Sequence, residues 1–148
     1  MNSKFKLLCL IFFISQSTFA QKRNISDSLK CTQYFDTLSN RQLYRFPEKN
    51  AEYKGGAEGF SNYINRHFSY DNKKIDHQVI LIFTFIVEPD GLVSNVSLKY
   101  HRKDVPDDIV DKGVKALQKM PKLTPAECNN QKVAIRLMQP IVLYPARN

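Results

Sequence analysis

Histidines and neighbouring acids are the residues with which this chain could carry out acid–base or metal chemistry. His67, His77 and His101 are scattered, and none has a cysteine or carboxylate at the spacing that metal sites use. Asp107 and Asp108 are adjacent, and adjacent residues of a helix diverge by about 100°, so helix capping explains them better than joint catalysis. Phosphate-binding loops and nucleophile motifs are absent from the 148 residues. We therefore predict no enzymatic activity, no metal and no cofactor.

The first 20 residues predict export. Two lysines precede an apolar run from Leu7 to Ile14, and small residues suited to cleavage follow, as is typical of a secretory signal peptide. The alternative, an uncleaved membrane anchor, fits less well because the run is shorter than the roughly 20 residues of a spanning helix. We expect a cleaved signal peptide at 1–20, a periplasmic location and no integral membrane span.

Cys31 and Cys128 remain after such cleavage. In an oxidising compartment paired thiols become disulfides, so these two residues can form a bridge. The bridge would close a loop of about 97 residues and add on the order of 4 to 5 kcal/mol by the chain-entropy estimate. Two buried thiols or an intermolecular link are the alternatives.

The chain is basic, with a net charge of +8 that falls to +6 when Lys4 and Lys6 are removed with the signal peptide. The remaining basic residues are scattered rather than gathered in a run, which indicates a solvated surface and no nucleic-acid partner. Hydrophobic residues make up 43% of the chain, which is ordinary for a folded protein with a core, and the length of 148 residues predicts a single domain.

The pattern of apolar residues predicts an α+β domain at 47–148, preceded by a polar extension at 21–46 that can carry a short strand near Leu43. Helical spacing predicts a helix at about Ala57–His67, and a β-rich apolar run predicts a central strand at Val79–Val87. A turn at Glu88–Gly91 then joins a second strand.

A second helix is predicted to start near Asp104 to Asp108 and to end near Lys119, with Gly113 allowing close approach to the sheet. The last strand is expected at about Lys132–Leu143. Pro140 within it places it at a sheet edge or bulge, because proline cannot donate to a strand ladder. The order predicts a two-layer α+β sandwich, with an antiparallel sheet of about three strands and both helices on one face.

Several short motifs occur in an order that resembles the C-terminal domain of TonB, and they span about two thirds of the chain. They are Gly55-Gly56, Tyr63-Ile64-Asn65, Asp90-Gly91, Met120-Pro121-Lys122, Thr124-Pro125 and Pro140-Ile141. The sequence departs from the family at Tyr70-Asp71, where Tyr-Pro is common, and at Leu123, where an aromatic residue is common. The family's inner-membrane helix and proline-rich span are not found, so we expect no energy transduction by this chain alone.

The resemblance implies recognition by strand addition, in which an extended segment of an outer-membrane receptor pairs with the edge of the final strand. It therefore implies a periplasmic protein-binding module linked to TonB-dependent transport, with Arg136 as a contact for an acidic partner. The alternatives are that the N-terminal extension or a second copy covers this edge, or that the protein is a self-associating structural or assembly protein of the envelope. The partner-binding residues expected on this basis are Val133, Ala134, Ile135, Arg136, Leu137 and Met138.

Overall fold

A mixed five-stranded sheet forms the scaffold of the protein in a computed structural model, which describes residues 29–100 and 103–146. The predicted signal peptide at 1–20 lies outside the described residues, as does His101. The elements in chain order are β1 (Thr32–Asp36), β2 (Arg41–Arg45), α1 (Gly56–His67), a short 3-10 helix (Asn72–Lys74), β3 (Val79–Val87), β4 (Val93–Leu98), α2 (Asp107–Gln118), β5 (Ala126–Cys128), β6 (Gln131–Val133) and β7 (Ile135–Leu143).

The strand order in the large sheet is β1-β2-β7-β3-β4, and β5 and β6 form a separate hairpin. Neighbours in the large sheet are antiparallel except β2 and β7, which are parallel. The fold class α+β is confirmed, but the expected antiparallel sheet of about three strands is wrong. The polar extension adds two strands to it, and β7 lies between β2 and β3 rather than at the sheet edge.

The main core lies between one face of this sheet and the two helices. Alternate residues of β3, including Leu81, Phe83 and Phe85, are buried there, as expected from the two-residue period of a strand. A Cβ built on Gly113 of α2 would lie 2.5 Å from Cζ of Phe83, which confirms that this glycine permits close approach to the sheet. The hydroxyl of Tyr63 in α1 donates to a carbonyl of α2 at 2.9 Å, so the helices also contact each other.

The acidic start of α2 differs from the prediction in one respect. Asp107 and Asp108 lie in its first turn, where their charge complements the helix dipole, but no side chain caps the helix. Asp108 instead forms an ion pair with Lys74 at 2.9 Å. That ion pair lowers the pKa of Asp108, chiefly through the hydrogen bond from Lys74.

Candidate peptide-binding edge

One side of β7 is open over half of its length. On its other side β7 pairs with β3 throughout, from Ile135 opposite Val87 to Leu143 opposite Val79. Towards β2 the only register pair is Tyr44 with Ile135, where the Tyr44 amide donates to the Ala134 carbonyl at 3.0 Å. Past this pair no other described strand lies against β7 on that side. Its backbone there is free to pair with an incoming strand.

The position of Pro140 shows which backbone groups face the open side. The Lys99 amide donates to the Ile82 carbonyl at 2.8 Å, so the backbone of Ile82 faces β4. Pro140 is the partner of Ile82 in the β3–β7 register, and in an antiparallel ladder it must then face away from β3. Met138 and Val142 face the same way by alternation. The missing N–H of Pro140 therefore costs no bond to β3.

Tyr70 closes the far end of the open side. Its hydroxyl accepts a hydrogen bond from the Tyr144 amide at 2.8 Å and donates to the Tyr144 carbonyl at 3.3 Å. The open edge therefore runs from Met138 to Val142, between the end of β2 and Tyr70. At about 3.3 Å per residue this five-residue stretch is roughly 16 Å long. The amide of the Gln139 side chain donates to the Pro140 carbonyl at 3.2 Å, and a bound strand would replace that donor.

A groove of about 600 Å³ lies between the open edge and α1. Tyr53 and Phe60 contact edge to face, with ring centroids 6.1 Å apart, and form part of its aromatic wall. Alternate side chains of an added strand would point to the helix side of the sheet and enter this groove. The other apolar residues that line it are Ala51, Ala57, Ile64, Phe68, Phe85, Leu123, Leu137, Ile141 and Leu143, and Pro140 and Val142 border it at the strand edge.

The opposite face of the sheet is also apolar beside the open edge. Ile80 is 46% exposed, Met138 is 58% exposed and Val142 is 38% exposed. The side chains of an added strand that do not enter the groove would lie beside Met138 and Val142. The edge therefore favours a segment with apolar side chains on both faces.

Four of the six predicted partner-binding residues, Val133 to Arg136, already have partners within the protein. Val133 is buried and belongs to β6, where it pairs with Ala126. Ala134 and Ile135 are already bound by Tyr44 of β2, so the N-terminal extension covers this part of the edge. The open edge begins at the last predicted residue, Met138, and continues to Val142, while Leu137 lines the groove.

Arg136 is not available for an acidic partner in this structure. Its Nε and Nη2 donate to the carboxylate oxygens of Asp36 at 3.1 and 2.8 Å, and both side chains are almost wholly buried. The hydrogen bonds from Arg136, together with those from Ser39, lower the pKa of Asp36 to about 2. Asp36 in β1 therefore already supplies the carboxylate that the sequence led us to expect from a partner.

A disulfide joins Cys31 to Cys128 across a Cα–Cα distance of 5.6 Å, which lies in the usual range for such bridges. Cys31 comes directly before β1, and its amide donates to the Phe46 carbonyl at 2.9 Å. Cys128 is the last residue of β5. The bridge therefore ties the start of the β1–β2 hairpin to the β5–β6 hairpin.

The two described histidines have local partners. His67 stacks on Tyr63 with ring centroids 4.1 Å apart. His77 contacts Asp76 through Nδ1 and lies 3.2 Å from Asp104 through Nε2. Within residues 29–100 and 103–146, no group of three or more metal-ligating side chains is placed to hold a metal ion. In the same ranges no helix has the length and apolar character needed to cross a membrane.

Comparison with known proteins adds no assignment: the chain matches no family model, no curated protein and no solved structure. The resemblance to the TonB C-terminal domain accordingly stays a prediction from the sequence. Pro140 is the sequence signal that could have located the open edge. A proline has no backbone N–H to donate to a neighbouring strand, so within a strand it is found where that side is unpaired. The role of Tyr70 depends on a contact with Tyr144, 74 positions further along the chain, which no local pattern indicates.

Proposed function

We propose that this protein is a periplasmic binding module that takes up a short extended segment of a partner protein as an additional strand beside β7. The observation that carries the proposal is the open edge at Met138–Val142 with a groove of about 600 Å³ beside it. The edge supplies backbone hydrogen bonds, and the groove supplies space for alternate side chains.

The strength of such binding can be estimated from the groups that face the open side. Met138 and Val142 each offer one N–H and one C=O, and Pro140 offers one C=O. The Pro140 carbonyl exchanges one donor for another, so four hydrogen bonds at about 1 kcal/mol each and two buried apolar side chains at about 2 kcal/mol each give roughly 8 kcal/mol. An association cost of about 4 kcal/mol leaves roughly 4 kcal/mol, a Kd on the order of 1 mM. The contact suits a transient partner.

The partner class that we propose is a segment of an outer-membrane receptor, and the process is TonB-dependent transport. This part rests on the predicted signal peptide and on the order of motifs that resembles the TonB C-terminal domain. Self-association through the same edge is the competing outcome of the test described next.

The test compares two substitutions at one position. Met138→Pro removes an N–H that faces the open side, whereas Met138→Ala keeps the N–H and shortens the side chain. Neither substitution touches a backbone group that faces β3. The purified protein is crosslinked to its partners in envelope extract of its own cells, because a contact this weak would not survive washing, and the bound segment is then titrated as a synthetic peptide.

We expect capture by the unchanged protein and by Met138→Ala, and at least about a fivefold weaker Kd for Met138→Pro, since one hydrogen bond is worth about 1 kcal/mol. In nuclear magnetic resonance spectra the amides of Met138 and Val142 should shift on titration, while those of β4 should not. Equal binding by Met138→Pro would refute the edge assignment. Recovery of this protein alone, with a mass that rises with concentration, would favour self-association.

A further inference from the structure

The β1–β2 hairpin occupies the first half of the β7 edge much as a partner strand would. Tyr44 of β2 supplies the backbone hydrogen bond to Ala134 at 3.0 Å. Asp36 of β1 supplies the carboxylate for Arg136, with the closest contact at 2.8 Å. The hairpin is therefore an internal occupant of the same strand whose second half is open.

Backbone pairing contributes little to the attachment of this hairpin to the sheet, which otherwise depends on the fully buried side chain of Leu43, on two ion pairs and on one disulfide. A single register pair joins β2 to β7, whereas nine pairs join β3 to β7. Two ion pairs contribute: the buried one between Asp36 and Arg136, and one between Arg41 and Glu88 at 2.7 Å, which is partly exposed. The disulfide between Cys31 and Cys128 adds a covalent attachment at the base of the hairpin.

We propose that the Cys31–Cys128 disulfide is a redox latch that holds the β1–β2 hairpin over the first half of the β7 edge. Reduction releases the hairpin and lengthens the open edge from Met138–Val142 to Ala134–Val142, which is nine residues instead of five. It also uncovers Arg136, which then takes an acidic side chain from the partner in place of Asp36. The effect on binding rests on the function proposed above, whereas the release of the hairpin does not.

The reductant that the latch requires is a dithiol. One thiolate of the dithiol attacks Sγ of Cys31, which is half-buried, while Cys128 is only 2% exposed. The bond between the two protein sulfurs breaks, and the Cys128 thiolate leaves and takes up a proton. The second thiol of the dithiol then displaces Cys31, which also becomes a thiol. The dithiol ends as a disulfide, so two electrons and two protons have passed to the protein.

Hydrogen exchange at the Tyr44 amide tests the release directly. The whole chain is used with Cys9→Ser in every sample, so that Cys31 and Cys128 are the only cysteines. Samples are compared before and after treatment with dithiothreitol. We expect exchange at Tyr44 to rise about tenfold or more on reduction, while exchange in the β3–β7 ladder stays within about twofold.

Two results would overturn the latch. Unchanged exchange at Tyr44 would mean that the hairpin stays in place without the bridge. If the exchange rate rose equally at Tyr44 and throughout the β3–β7 ladder, the disulfide would stabilise the whole fold and not the β1–β2 hairpin in particular. The double variant Cys31→Ser, Cys128→Ser repeats the comparison without a reductant and must agree with the reduced sample.

A labelled peptide with the sequence of residues 40–46 tests the lengthened edge, because β2 pairs with this part of β7 in the structure. We expect its Kd to fall at least about tenfold on reduction. If the hairpin is released but the peptide affinity does not rise, the proposed lengthening of the edge is refuted, whereas the proposed release of the hairpin is not. If neither form binds this peptide or the captured segment, the proposed function fails while the exchange result remains valid.

Discussion

Replacing Asp36 with asparagine tests the buried ion pair that closes the first half of the edge. The Asp36 carboxylate accepts two hydrogen bonds from Arg136, and its side chain is only 7% exposed. Asp36→Asn keeps the shape of the side chain but leaves the Arg136 guanidinium buried without an opposite charge. Removing one partner of a buried pair is strongly destabilising, because the other charge stays out of water.

The lowered pKa sets the size of the effect. Asp36 has a pKa of about 2 in the folded protein against an ordinary value of 3.8. That difference corresponds to about 2 kcal/mol of stability at neutral pH. The Arg136 guanidinium, left buried without an opposite charge, adds to this loss of stability. We therefore expect Asp36→Asn to lower the free energy of unfolding at pH 7 by about 2 to 4 kcal/mol.

The pH dependence follows from the direction of the shift. Because the folded pKa lies below the unfolded one, the stabilisation from Asp36 is complete above pH 3.8 and is lost as the pH falls through about 2. The unchanged protein should therefore lose about 2 kcal/mol more than Asp36→Asn between pH 5 and pH 2.

Urea unfolding followed by circular dichroism at pH 7, 5, 3 and 2 measures both quantities. Asp111→Asn is the matched control, since it makes the same chemical change at an exposed position of α2. It should change stability by less than about 0.5 kcal/mol. If the stability difference between Asp36→Asn and the unchanged protein were the same at every pH, the charge of Asp36 would not be the stabilising feature.

Three further substitutions test the packing that holds the site. Gly113→Ala should lower the free energy of unfolding by about 1 to 3 kcal/mol in urea melts, because the new Cβ would lie 2.5 Å from the buried Phe83 ring. This cost should exceed the gain from the higher helix propensity of alanine, so a stabilised variant would contradict the contact. Gly91→Ala should lower the free energy of unfolding by about 2 kcal/mol or more, since φ is +87° and the new Cβ would lie 2.2 Å from the Leu123 carbonyl oxygen. An unchanged melting temperature would disprove this expected loss. Tyr63→Phe should cost about 1 kcal/mol for the lost bond to α2, and thermal unfolding with no shift would count against that bond.

Much of the domain was predictable because its signals are local. β3 occupies the predicted range Val79–Val87, and α1 begins one residue before the predicted start at Ala57. A nine-residue apolar run and a helical stripe of aromatic residues are long enough to specify their own secondary structure. The close approach of α2 to the sheet was predictable from Gly113 for the same reason, since a glycine in a helix interior is costly unless space requires it.

The β1–β2 hairpin was harder to predict. Each strand has only five residues, and in β2 the one fully buried side chain is Leu43. Charged residues such as Arg41 and Arg45 flank it, so the segment has the composition of a polar extension. It becomes part of the sheet through distant partners: Cys31 bonds Cys128, and Asp36 pairs with Arg136 one hundred positions away.

The two helices, the three long strands and the α+β class were predictable from the amino-acid sequence, because they depend on apolar periodicity and turn residues within short windows. Which part of the β7 edge is open depends on the tertiary structure. Backbone groups of Ala134 and Met138 are chemically alike, and the first is bound while the second is free because β2 ends at Arg45. Strand pairing is a contact between distant residues, and which partner arrives depends on the whole fold.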